Sequence, residues 1–293
     1  MVSKRSLRSD GLVVVHILIF TMVSGLSVTS KPGGAEQRCA AYLERTMPEE
    51  DRERLSKDFL QQNVDLALKA RRSHPWTAEV PWPTFLECVL PYASVDEMRD
   101  NWRPLFHERF SPFIINATGI SEAALLLNQN IWPIWNITFR ANQTPDIMSP
   151  SQVIAAGYAS CTGLSIFLVN ALRSVGIPAR MAGTPVWNTE AGGNHDWVEI
   201  WDGGFWSFTG PTEYTEKGLN STWFVPEPAQ QALRGSRMHA IYAVSWERQR
   251  DSVKYPLIWT ENKTVDAYDV SEYYIEASKL IQPAADIAVA HAL

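Results

Sequence analysis

Gly157-Tyr158-Ala159-Ser160-Cys161-Thr162-Gly163-Leu164-Ser165 leads out of a glycine-containing turn into an apolar run, and Asn194-His195-Asp196-Trp197-Val198-Glu199-Ile200-Trp201 comes later as an alternating segment. Leu164, Leu168, Ala171, Leu172 and Val175 recur at helical spacing, and Gly176 is placed as a helix stop, so Cys161 falls at the first position of a helix. Unpaired N–H groups and the positive end of the helix dipole favour a thiolate at such a position. His195 opens the alternating segment, where only the fold can bring its imidazole near the thiol. A nucleophile and base far apart in sequence are what a Cys/His pair requires, although on spacing alone such a pair is more often structural than catalytic.

Downstream of Gly176 the pattern is that of strands: Ile177–Ala182, Trp197–Trp201, Phe205–Phe208 and Ala240–Trp246, with Asp202-Gly203-Gly204 as a tight hairpin between the second and third. Upstream the chain reads as helical and rich in loops. Thr46-Met-Pro-Glu49 has the form of a capping box opening a helix striped by Leu55, Phe59, Val64 and Leu68, and closed by Lys69, Arg71 and Arg72. Phe85–Leu90 is a short buried run ended by Pro91. Ser94-Val-Asp-Glu97 predicts a second short helix through Trp102 that Pro104 interrupts, Ser121 a third toward Ile131, and Ser149-Pro150-Ser151-Gln152 a fourth leading into the Gly157 turn. Helices followed by an antiparallel sheet specify an α+β fold. Past residue 250 the pattern fades, with Tyr273-Tyr274-Ile275 as a short element and an Ala-rich end from Pro283 to Leu293.

The first thirty residues stand apart. Lys4, Arg5 and Arg8 precede an apolar run from Gly11 to Leu26 and a cluster of small residues, the form of a secretory signal peptide, with an uncleaved membrane anchor as the alternative. The net charge is −6, and Met1–Ser30 carries +2 of it (Lys4, Arg5 and Arg8 against Asp10), so the remainder stands at −8. An acidic chain of this kind is a poor partner for nucleic acid or an anionic membrane surface, and after cleavage no stable membrane contact is expected. Acceptor sequons at Asn116, Asn136, Asn142, Asn220 and Asn262 agree with export, the third weakened by Pro145. Of three cysteines, Cys39 and Cys88 can pair and leave Cys161 as the free thiol; alternatively Cys88 is a buried apolar residue.

No P-loop, dinucleotide fingerprint or G-x-S-x-G elbow is present, and the six histidines show no H-E-x-x-H spacing, so neither a cofactor nor a metal is expected. Trp187, Trp197, Trp201, Trp206 and Trp223 crowd the region of Cys161 and His195; packing is a better reading for each than substrate contact.

The segments around Cys161 and His195, with Ala171-Leu172-Arg173-Ser174-Val175-Gly176-Ile177-Pro178-Ala179-Arg180 between them, resemble the core of the transglutaminase-like superfamily, a papain-like thiol fold. Trp206 to Glu213 and Leu219 to Phe224 extend the resemblance to a secreted subgroup, and Asp58-Phe59-Leu60 and Val89-Leu90-Pro91-Tyr92 resemble its helical N-terminal region. The resemblance covers residues 46 to 247 and divides the chain into a signal peptide (1–30), a helical N-terminal region (31–142), a transglutaminase-like core (143–250) and a C-terminal extension (251–293). It implies Cys161 as nucleophile and His195 as base within hydrogen-bond reach of each other, acting on a protein or peptide substrate at an amide carbonyl. Transamidation and a catalytically silent binding module are the alternatives, and the oligomeric state is left open. Arg180 is expected to pair with a carboxylate inside the fold.

The third member departs from the superfamily pattern. Where the superfamily usually has its aspartate, this chain has Gly210-Pro211, and Gly210 has no side chain to offer. Glu213 is the nearest acid downstream and is expected to fold back onto His195, the alternative being a backbone carbonyl orienting the ring. Asp196 should point to the opposite face of the strand, and Asp202 lies too far along it.

Overall fold

The protein is described from a computed structural model over residues 34–248, 250–256 and 261–281. The signal-peptide reading of residues 1–30, the Ala-rich end and the side chain of Asn262 lie outside the described residues. Among the described residues no helix is long and apolar enough to cross a membrane.

Six helices open the chain: α1 (Ala35–Thr46), α2 (Glu49–Arg54), α3 (Lys57–Arg71), α4 (Pro75–Ala78), α5 (Trp82–Cys88) and α6 (Trp102–Phe110). The helix predicted to start at Thr46 is overturned on two counts. Thr46 ends α1, its hydroxyl donating to the Tyr42 carbonyl at 2.8 Å. The run beyond it is split at Leu55, because the Ser56 hydroxyl accepts from the Phe59 N–H at 3.1 Å and caps a new helix there. The helix predicted from Ser94 is also absent. Glu97 does reach back to the Ser94 and Val95 N–H groups, as a capping box requires. However, the Arg99 guanidinium takes the Val95 and Glu97 carbonyls (2.6 and 2.8 Å) and pairs with Asp51 at 2.9 Å, consuming acceptors that helical N–H groups would need. The helix begins at Trp102 instead, with Pro104 in its first turn, where proline is tolerated.

Two buried arginines tie this helical region to the chain beyond Cys161. Arg103 spreads its guanidinium over the Val89, Leu90, Pro91 and Arg173 carbonyls and the Asn63 side chain. Arg173 takes the Cys88, Ala93 and Ala179 carbonyls. The segment 88–93 is therefore held on side-chain donors rather than by a ladder. Cys39 and Cys88 are buried and unbonded, contrary to the pairing considered from the sequence; each sits in close-packed surroundings whose burial pushes the thiol up, to about 11 and about 12.

After α7 (Ile120–Asn130), β1 (Thr138–Phe139), α8 (Pro150–Ala156) and β2 (Tyr158–Ala159) comes α9 (Cys161–Ser174), followed by β3 (Ala179–Thr184), β4 (His195–Asp202), β5 (Phe205–Thr209), β6 (Tyr242–Ser245), β7 (Val253–Pro256), β8 (Glu261–Asp269) and α10 (Ser271–Ile281). The sheet runs β5-β4-β3-β6-β8-β7, antiparallel throughout, so the architecture is α+β as the pattern required. Beyond residue 250, where the pattern fades, β7 and β8 extend the sheet and Tyr273 to Ile275 lie inside α10. These strands carry little alternation: β8 reads Glu-Asn-Lys-Thr-Val-Asp-Ala-Tyr-Asp, and β7 is a four-residue edge ending in proline. From Thr162 to Ser174, α9 is buried on every side, as befits a helix between a sheet and a helical layer. Alternation then sorts β4: Val198 and Ile200 join the core that holds α9, while Trp197 joins Phe208, Phe224 and Tyr274 on the far face.

Candidate active site

Three local features bring Cys161 to the head of α9. Ser149 and Gln152 form a full capping box on α8, whose end is closed by Gly157 in the left-handed conformation (φ 71°). Ser160 is extended, and its N–H is fixed by the Gln143 side-chain oxygen at 2.6 Å. Gly163 leaves room for that amide, since a Cβ there would meet the Gln143 oxygen at 2.8 Å and the Ala159 Cβ at 2.7 Å. Cys161 then borders a cavity of about 700 Å³ shared with His195, Glu213, Gln143, Trp223 and Phe139.

The thiol is pushed up to about 12, chiefly by burial and next by the Asp196 carboxylate. Hydrogen bonding from the backbone of Asp196 and Thr162 and from the Thr162 side chain acts in the other direction. Burial alone draws His195 down to about 4. At neutral pH the resting pair is therefore a thiol and a neutral imidazole. Nε2 of His195 is buried with no hydrogen-bond partner, and no hydrogen bond joins His195 to Cys161. The thiol and the imidazole open into one shared cavity. His195 shares the strand face of Trp197, and its ring is wedged among Trp223, Phe224 and Trp197, with centroids 4.9, 5.2 and 5.7 Å away.

Glu213 borders the same cavity. One carboxylate oxygen accepts from the Trp223 indole N–H at 3.0 Å, and the other is buried without a partner, so burial raises its pKa. A Cβ on Gly210 would overlap this carboxylate, which thus fills the space a side chain at 210 would need. The turn that carries it is pinned by Asn128 of α7, which donates to the Gly210 carbonyl at 2.9 Å and accepts from the Thr212 N–H at 3.0 Å. Asn128 gave no signal in the sequence beside Gln129 and Asn130; Asn130 merely caps its own helix through the Leu126 carbonyl. Asp196 faces away from His195 as expected, and Asp202 holds Ser121 at the start of α7. Arg180 pairs with buried Glu199 at 2.6 Å. Trp187 and Trp197 are stacked in the core, whereas Trp223 is 57% exposed at the cavity rim. Among the described residues no group of His, Cys, Asp and Glu is placed to hold a metal ion.

The sequence model of the Transglutaminase-like superfamily matches residues 116–211. That third of the chain is similar to a transglutaminase-like core. The match takes in Cys161, His195 and Gly210 and stops short of Glu213. A solved structure from Cytophaga hutchinsonii, described as a proposed cysteine protease, is 15% identical with a TM-score of 0.37, over 67% of this chain and 65% of that one. No curated protein matches the chain.

The depressed His195 carries a pH signature. A histidine of ordinary pKa 6.5 in the unfolded chain and about 4 in the fold stabilises the protein above pH 6.5, and that contribution is lost as pH falls toward 4. Asp196, raised to about 6 from 3.8, acts oppositely, gaining stability as pH falls through the same range. His195→Gln is expected to lose roughly 2 kcal/mol less stability than the wild type between pH 7 and pH 4.5. Urea midpoints at the two pH values measure it, and equal losses would show that His195 is not buried as a neutral ring.

Proposed function

We propose that the protein is a thiol hydrolase of amide or peptide bonds, with Cys161 as nucleophile, His195 as general base and Glu213 as the residue that orients His195. The observation that carries this reading is the opening of the helix-start thiol and the unpartnered imidazole into one cavity. His195 takes the thiol proton as the sulfur attacks the carbonyl carbon, and the Cys161 N–H at the head of α9 faces the developing oxyanion. Collapse expels the amine, which receives the proton from His195 and leaves an acyl-enzyme; water, deprotonated by His195, then releases the carboxylic acid.

The two buried atoms without partners in the cavity, Nε2 of His195 and one oxygen of Glu213, are complementary as donor and acceptor. Their pairing upon substrate binding fixes the tautomer that leaves Nδ1 free to accept the thiol proton. Hydrolysis is favoured over transamidation because the rim residues Phe139 and Trp223 are 59% and 57% exposed, leaving the acyl-enzyme open to water. The absence of a hydrogen bond between Cys161 and His195 favours the silent binding module as the second reading.

Full-length protein is to be assayed against neutral peptide amides alongside Cys161→Ala. Turnover that disappears in the variant supports the hydrolase. Turnover that persists in it removes Cys161 from the chemistry, and a wild type with neither turnover nor acylation of Cys161 leaves the binding module.

A further inference from the structure

Asp196 has its backbone in the strand of the proposed base and its side chain in a second, closed constellation. Adjacent to His195, it points to the opposite face, where its carboxylate accepts from the Thr162 hydroxyl and the Tyr255 hydroxyl, each at 2.6 Å. Three elements meet there: β4, the first turn of α9 beside the nucleophile, and β7. All three side chains are buried, and the space between them is kept by Gly183 on β3, where a Cβ would overlap Asp196, the Tyr255 hydroxyl and the His195 carbonyl. Tyr255 lies outside residues 116–211, so the site is completed from beyond the transglutaminase-like segment.

The chemistry of this constellation is unusual for a mere tie between elements. A buried carboxylate held by two neutral hydroxyls, with no cation against it among the described residues, carries an uncompensated negative charge in a low-dielectric setting. An amide of the same shape would join the same elements without that charge. Thr162, which donates to this carboxylate, is the residue directly after Cys161, so the charge is held beside the nucleophile at the head of α9.

We propose that Asp196 is a positioning residue for the nucleophile: Thr162 and Tyr255 fix its carboxylate behind Cys161, and its charge keeps the thiol protonated, so that Cys161 reacts only as His195 removes its proton. The role of Cys161 rests on the hydrolase reading above. The burial-driven rise of the thiol and of Asp196 to about 6 agrees with this arrangement. Among the described residues, the other titratable groups around the thiol are His195 on β4 and, across the cavity, Glu213 and Asp146, while Tyr255 on β7 sits behind it on Asp196; the first turn of α9 adds no charge.

The test is the rate of iodoacetamide alkylation at Cys161 in the full chain between pH 7 and 9.5, read by peptide mass mapping so that Cys39 and Cys88 are counted apart. Below the thiol midpoint the rate rises about tenfold per pH unit, so a displacement of the curve reads the change in thiol ionisation. Asp196→Asn is expected to react at least about tenfold faster at each pH, a midpoint lowered by about one unit or more. Tyr255→Phe, which keeps the charge but removes a donor that disperses it, is expected to react more slowly, by about threefold. A rate unchanged or lower in Asp196→Asn overturns the proposal, and so does faster reaction in both variants, which reports loosened packing. Should Asp196→Asn not fold, the Tyr255→Phe arm decides: slower supports, anything else overturns. Peptide turnover is not read in this assay, so failure of the hydrolase reading and failure of the charge relation are separate results.

Discussion

Arg103→Met is expected to destabilise the protein by on the order of 3–5 kcal/mol, seen as a lowered urea midpoint at neutral pH. Arg103 is 2% exposed, and its guanidinium serves four backbone carbonyls and the Asn63 side chain at 2.6 to 3.1 Å. Methionine matches the stem but donates nothing. Each buried acceptor left without a donor costs about 1–3 kcal/mol, and segment 88–93 has no ladder to fall back on. Two effects work the other way: removing the charge ends its desolvation cost and its repulsion with Arg173, both of which hold the Arg103 pKa well below its ordinary value. The Leu90 carbonyl keeps the Asn63 amide and the Arg173 carbonyl the Gly176 N–H, but the Val89 and Pro91 carbonyls and the Asn63 oxygen lose their donor. These three orphaned acceptors win, because relaxation toward water is blocked by α6, α9 and the packed Val89 and Leu90. A loss under about 1 kcal/mol would mean that the segment finds other donors.

Glu213→Gln is expected to lower kcat by about 10²-fold or more with little change in KM, the size of effect associated with losing a correctly oriented base. Glutamine keeps an acceptor for the Trp223 indole but turns an NH₂ group toward the place where Nε2–H needs an oxygen, which selects the wrong imidazole tautomer. Gly210→Ala should give a loss of similar size without touching Glu213, because the new Cβ takes the volume occupied by the carboxylate. The pair of variants is read against peptide amide turnover from pH 6 to 8. Unchanged kcat in Glu213→Gln would assign the orientation of His195 to a backbone carbonyl instead. A loss in Glu213→Gln but none in Gly210→Ala would show that the carboxylate acts from another position.

What the sequence determined by itself is what a few neighbouring residues can settle. The helix that begins at Cys161 follows from the Gly157 turn and the apolar spacing behind it; the β4–β5 hairpin follows from Asp202-Gly203-Gly204, where Gly203 and Gly204 take positive φ (59° and 102°) that larger residues avoid. The alternation of β4 likewise sends Asp196 and His195 to opposite faces before any partner is known. Tertiary structure decided the rest, because it depends on which groups arrive at the same place. Glu97 makes its capping contacts, yet Arg99 and distant Asp51 remove the helix they predict. The Glu213 carboxylate occupies the volume left by Gly210 only because Asn128, on a separate helix, bends the turn between them. Tyr255 reaches Asp196 from an edge strand too short and polar to announce itself, and the His195 imidazole is held by the aromatic rings of Trp223 and Phe224, which come from a distant segment. Local dihedral and periodic preferences act within a few residues, whereas burial, charge pairing and exclusion act between elements, and the chemistry of this site belongs to the second kind.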